Sequence, residues 1–207
     1  PERQYVVGRP QGLTTQTDSN SEGEQIMARI EAISREDMDD AQARVHDAAK
    51  EAGNPVGGPF TAYIRIPELY ENAQGMRTAL GNAPLSERER QIVYLMVSRH
   101  WNAAYPWYAQ ARNGLKIGLD RDIIDAINAR TTPELPDARE RTCYEVAHEL
   151  LSSQQLGDSS FAAAKEVMGE TDLVALVVAT GQFMMTCCTA AAFAVAPPAD
   201  EPVPLLA

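Results

Sequence analysis

The chain has few of the residues that usually carry redox or metal chemistry. Its 207 residues include three cysteines, Cys143, Cys187 and Cys188, and three histidines, His46, His100 and His148. There is no C-x-x-C, and an odd, sparse cysteine count gives no disulfide framework. The expectation is buried, reduced thiols in a cytoplasmic protein. Cys187 and Cys188 are adjacent in an apolar run, so a helix would point them to different sides. The histidines are far apart and never spaced H-x-x-x-H, so a metal site has no local support. Neither metal nor cofactor is expected. Basic residues are scarce too: 18 Lys and Arg stand against 29 Asp and Glu, a formal net charge of −11. With no basic stripe, a nucleic-acid backbone would be repelled. The opening PERQYVVGRP lacks the basic start and apolar block of a signal peptide. Alternating strand patterns are missing, apart from the short TAYIRI at Thr61 to Ile66.

One long uncharged run exists, Leu173 to Ala199, and its length raises a membrane reading. It contains Thr180, Gly181, Gln182, Thr186 and Thr189, ends in Pro197-Pro198, and has no Lys or Arg flank. A helix buried in a core or subunit interface is expected instead of a membrane span.

What is present reads as helix. Hydrophobic residues make up 44% of the chain, enough for a sizeable core. Residues 1–23 are polar and read as an extended arm, with a helical domain over 24–207. Ser34 is the expected cap of a first helix carrying Met38, Ala41, Val45 and Ala48 inward and stopping near Gly53. Gly57, Gly58 and Pro59 make a turn. Pro67 suits a helix start, with Leu69, Met76 and Leu80 as the apolar side and Gly81 as the stop. Ser86 and Glu89 form an S-x-x-E capping box ahead of a wide stripe, Ile92, Val93, Leu95, Met96 and Val97. Glu87 to Arg90 read as a solvated helix start, with Arg90 reaching inward. A helix then ends near Gly118, and a short one covers Asp120 to Ala129. Another starts at Pro136 with Cys143, Val146, Ala147, Leu150 and Leu151 inward. One capped by Asp158 closes at Gly169, and the apolar helix starts at Thr171. The tail APPADEPVPLLA reads as extended. The fold class is all-α.

The order Gly58-Pro59-Phe60, Pro67-Glu68-Leu69, Leu85 to Arg90, then Trp101 through Ala109 with Gly118-Leu119, resembles the carboxymuconolactone decarboxylase family. That family belongs to the alkylhydroperoxidase D-like superfamily. The resemblance covers about residues 30–205. It implies a compact helical bundle assembled as a homotrimer or homohexamer. It also implies metal-free proton transfer on a small oxygenated acid or lactone in aromatic catabolism, by a lyase or isomerase. The peroxidase branch uses C-x-x-C-x-x-x-H, which falls here on Tyr105, Tyr108 and Arg112. A phenol cannot exchange disulfides, so that route is excluded. The decarboxylase-like branch places two glutamates and a histidine where this chain has Gln91, Pro106 and Gln110. An amide cannot titrate near neutral pH.

The remaining candidates follow. Tyr105 and Tyr108 lie three apart on one helix face, with Trp107 turned away. They are the expected catalytic groups, a tyrosine of lowered pKa serving as general acid. His100 is the nearest proton shuttle in sequence. Gln110, Gln91, Arg112, Phe60 and Tyr63 are the expected substrate-binding residues, and Arg99 could pair with a substrate carboxylate. The alternatives are that the tyrosines are packing residues, that His100 serves a helix end, and that the protein is a non-catalytic binding or scaffold member. Redox chemistry at Cys187 and Cys188 is a third, weaker reading.

Overall fold

The computed structural model describes residues 29–207, in which every regular element is a helix. A 3-10 turn at Arg35–Asp37 precedes α1 (Asp40–Glu51), α2 (Phe60–Tyr63), α3 (Pro67–Gly81), α4 (Glu87–His100) and α5 (Ala104–Lys116). Then come α6 (Arg121–Asn128), α7 (Ala138–Ser153), α8 (Asp158–Met168) and α9 (Glu170–Ala192). The expected N-terminal arm, residues 1–23, lies outside the described residues.

α4 is the central element. Its capping box at Ser86 and Glu89 forms in both directions. Ile92, Val93, Leu95 and Val97 are fully buried, because α4 packs against α5, α6, α7 and α9 and carries exposed residues only at its two ends. α6 contributes Ile123, Ile124 and Ile127 to the same core. A smaller cluster lies under α1, α2 and α3, with Val45, Ala49, Tyr63, Ile64, Tyr70 and Ala73.

Several sequence expectations need correction. Ser34 opens only the 3-10 turn, its hydroxyl donating to Asp37. The cap of α1 is Asp39, paired with Gln42 in its own capping box, so the buried face is Ala43, Val45 and Ala49. Ala41 and Ala48 face solvent. On α3, Leu69 and Met76 point outward, and Tyr70, Ala73, Gln74 and Leu80 point inward. TAYIRI is a helical turn, since Ile64 donates to the Phe60 carbonyl and needs no partner strand. Gly157 caps α8, and Asp158 is its first residue. Glu89, read as solvated, is 4% exposed.

α9 is 23 residues long and is long and apolar enough to cross a membrane by length and composition. In this fold it is one-sided. Leu173, Leu176, Ala179, Phe183 and Cys187 are buried, and Val174, Val177, Val178 and Met185 are exposed. Cys187 is buried and Cys188 exposed, so the two thiols do point to different sides, and Cys188 departs from the expectation of burial. Thr180 and Thr189 donate back to Leu176 and Met185 carbonyls, which satisfies their hydroxyls inside an apolar helix.

The C-terminal tail is extended but docked. Val203 is buried, and its carbonyl accepts from Trp107 Nε1 at 2.8 Å. The Asn128 amide donates to the Pro204 carbonyl at 2.8 Å and accepts from Leu206 N at 3.0 Å. One side chain thereby serves two backbone groups of a strap over α5 and α6.

Candidate functional site

The α5 helix begins where its sequence permits. Trp107 N to the Ala103 carbonyl is its first intrahelical bond, so Pro106, one place earlier, removes no bond the helix would make. This start directs Trp107 into the core and leaves Tyr105 half-buried and Tyr108 buried on α5, just ahead of Gln110, where α5 meets Gln91 of α4. The two phenol rings stand 6.3 Å apart and tilted by 50°.

Each of these groups is already engaged. Tyr105 lies against the turn before α2: a Cβ built on Gly58 would sit 2.2 Å from its Cε1. Gly58 also has φ +62, so glycine is required there by both space and backbone. The Tyr108 hydroxyl accepts from Arg112 at 3.3 Å, and that guanidinium lies 5.4 Å from the ring centroid. Gln91 donates to both the backbone carbonyl and the side-chain oxygen of Gln110, at 2.8 and 2.9 Å. Among the described residues, neither a carboxylate nor an imidazole hydrogen-bonds to any of these five side chains. Burial raises the Tyr105 pKa, Tyr108 adds to the rise, and Arg112 opposes it. The phenol stays protonated near neutrality, opposite in direction to the lowered pKa expected of a proton-donating tyrosine.

Phe60 and Tyr63 belong to the smaller cluster. Phe60 meets Tyr63 and Tyr70 edge-on at 5.5 and 5.6 Å, and the Tyr63 hydroxyl pairs with Thr189 Oγ1 at 3.1 Å. The α2 turn that carries them follows directly on the Gly57-Gly58 contact with Tyr105. His100 is not brought to the seam. It lines a separate cleft with Arg99, Arg130 and His148. Arg130 was missed in the sequence. Its only local signal is a non-glycine residue at a helix stop, in N-A-R-T-T, where its φ is +58.

The thiols offer little redox chemistry. Burial pushes the Cys143 and Cys187 pKa values up to about 12, so neither carries appreciable thiolate near neutral pH.

No protein-family model matches the chain, and no curated protein matches it. Solved structures do. A protein of unknown function from Agrobacterium tumefaciens, described as a putative antioxidant defence protein AhpD, is 16% identical, with TM-score 0.62 over 70% of this chain and 100% of that one. An uncharacterized peroxidase-related protein from Ralstonia eutropha JMP134, an alkylhydroperoxidase AhpD core, is 18% identical. Its TM-score is 0.66, over 86% of this chain and 97% of that one. An uncharacterized peroxidase-related protein from Silicibacter sp. TM1040 is 20% identical, with TM-score 0.65 over 89% and 97%. At these identities the likeness is one of architecture, and it establishes that this chain has the alkylhydroperoxidase D-like helical fold.

Proposed function

We propose that this chain is a carboxymuconolactone decarboxylase-like protein that binds a small oxygenated acid or lactone at the seam of α4 and α5. It holds the ligand by neutral hydrogen bonds and one guanidinium, without running proton transfer. The observation that carries this reading is the chemistry of the seam. Tyr105 is a protonated phenol, Gln91 and Gln110 are amides, and Arg112 is exposed beside the Tyr108 hydroxyl. The phenols, the Gln110 amide and Arg112 can donate to a carbonyl or carboxylate oxygen, whereas Gln91 spends its amide protons on holding Gln110. None of them cycles a proton near neutral pH.

Titration calorimetry with a panel of lactones and unsaturated carboxylic acids tests the reading. Wild type should bind at least one of them without turnover. Arg112→Ala should weaken that binding about tenfold, as expected for a charge-assisted contact. Turnover with a bell-shaped pH profile would replace this reading with the lyase or isomerase one. No binding by any member, with Tyr105→Phe and Tyr108→Phe unchanged, would leave a scaffold. That second reading is favoured by the tight closure of the Gly58 turn on Tyr105.

The outward stripe of α9, Val174, Val177, Val178 and Met185, supports self-association as a homotrimer or homohexamer. Val178→Glu should shift the sedimentation profile toward monomer. Free thiols at Cys143, Cys187 and Cys188 support a reducing, cytoplasmic setting.

A further inference from the structure

A cleft of about 450 Å3 opens where the last turn of α4, the segment after α6 and the second half of α7 meet. Met96, Ile127 and Leu151 supply its apolar floor and are buried. Arg99, His100, Arg130 and His148 supply its polar wall. Among the described residues no Asp or Glu lines it, although the chain carries a net charge of −11. Tyr144 and His148 stack across one side, with ring centroids 6.0 Å apart.

Arg99 is only 6% exposed. A guanidinium taken out of water needs a counter-charge to offset its desolvation. Among the described residues Arg99 has only neutral acceptors: Nε donates to the Asn128 carbonyl at 2.6 Å, and Nη1 donates to the Asn102 side-chain oxygen. Arg130 donates to that same Asn102 oxygen at 3.1 Å and to the Arg99 carbonyl at 3.2 Å. Two cations therefore converge on one amide. Among the described residues no carboxylate forms an ion pair with either. Burial, reinforced by Arg130, lowers the pKa of both Arg99 and His100 from their ordinary values.

The backbone points the same way. Asn102 and Arg130 have φ of 47 and 58, in the left-handed region. Asparagine tolerates it, but arginine just past a helix end occupies a place that suits glycine. Strain of this kind collects at functional sites.

We propose that this cleft binds a small organic oxyanion. Its carboxylate or phosphate head sits on Arg99 and Arg130, and its apolar body rests on Met96, Ile127 and the Tyr144–His148 stack. The guanidinium fork fits both heads, and the volume falls within the range of small-molecule pockets, about 300–1,000 Å3. The cleft shares no lining residue with α5, so it stands independently of the function proposed for the seam.

The test is calorimetry of the full chain with inorganic phosphate, phenyl phosphate and benzoate. One of the two aromatic anions should bind more tightly than inorganic phosphate, because only they reach the apolar floor, and the preference between them names the head. Arg130→Gly removes the guanidinium and relieves the backbone. It should weaken binding about tenfold or more with an unchanged or higher Tm. Arg77→Ala, an exposed arginine elsewhere, controls for diffuse charge and should keep wild-type affinity. The proposal is overturned if none of the three probes binds at millimolar concentration. It is also overturned if Arg130→Gly binds as well as wild type, or if Arg77→Ala loses as much affinity.

Discussion

The two ends of α4 carry the same residue type and treat it in opposite ways. At the N-terminal end Arg88 and Arg139, which link α4 to α7 and α9, each find a carboxylate. Arg88 Nε donates to Glu140 at 2.6 Å. Arg139 donates to Glu89 at 2.7 Å and to Asp172 at 2.9 Å, tying α4, α7 and α9 together. At the C-terminal end Arg99 and Arg130 share a neutral amide. The contrast separates two uses of arginine. The first end is closed, with its charges cancelled internally. The second is left electrically open, and its fixed positive charge faces a cleft.

The largest expected effect comes from breaking the closed end. Arg139→Met leaves the Glu89 carboxylate buried beside Asp172 without a cation. It should cost about 3 kcal/mol, read from the urea midpoint. A loss under half that size would mean the N-terminal end is not held by its ion pairs.

Next is Asn128, where the open end meets the tail. Asn128→Ala removes both hydrogen bonds to the strap and leaves the Pro204 carbonyl and Leu206 amide unpaired. A loss of about 2 kcal/mol is expected, with earlier proteolytic cleavage in the last residues of the chain. Unchanged cleavage would show that Val203 burial alone holds the strap.

Arg99→Met sharpens the comparison most directly. It gives up two hydrogen bonds but also a desolvated, repelled charge. The net cost in the ligand-free protein should be about 1 kcal/mol or less. If it equals the cost of Arg139→Met, the two ends are alike and the contrast fails.

The smallest effect is a pH dependence at His100, which faces Arg99, Arg130 and His148 in the cleft. Partial desolvation of the ring, then Arg130, lowers its pKa. The unfolded chain takes up a proton near pH 6.5 that the folded chain resists. Stability is therefore full above about pH 6.5 and falls as pH drops below it, toward the depressed native value. His100→Gln should flatten that limb of a Tm-against-pH profile, by a small amount because His100 is exposed. An unchanged profile would remove His100 from the cationic cluster.

Much of the helical order was legible in advance. Ser86 with Glu89, and Pro67 at the head of α3, were readable because a cap is a contact over three residues. The α4 stripe was readable because a wide apolar run leaves no choice of face. Leu69 and Met76 were misplaced because α3 has two mildly apolar faces, and only its packing on α1 and α2 selected Tyr70 and Ala73. The structure sets Tyr105 beside Tyr108 and joins Gln91 to Gln110, two pairs that helix spacing and the family resemblance single out. His100 was grouped with them by nearness in sequence, whereas it lies on the wall of another cleft.

The sequence by itself determined the helices, their order and the proton-poor chemistry of the α5 start, since capping, periodicity and residue type act over a few positions. Only the tertiary structure decided which charges were cancelled. Arg139 meets Glu89 across 50 residues, and Arg130 meets Asn102 across 28. Ion pairing and desolvation depend on distance through space, so the open arginine pair became visible only once α4, α6 and α7 had been packed together.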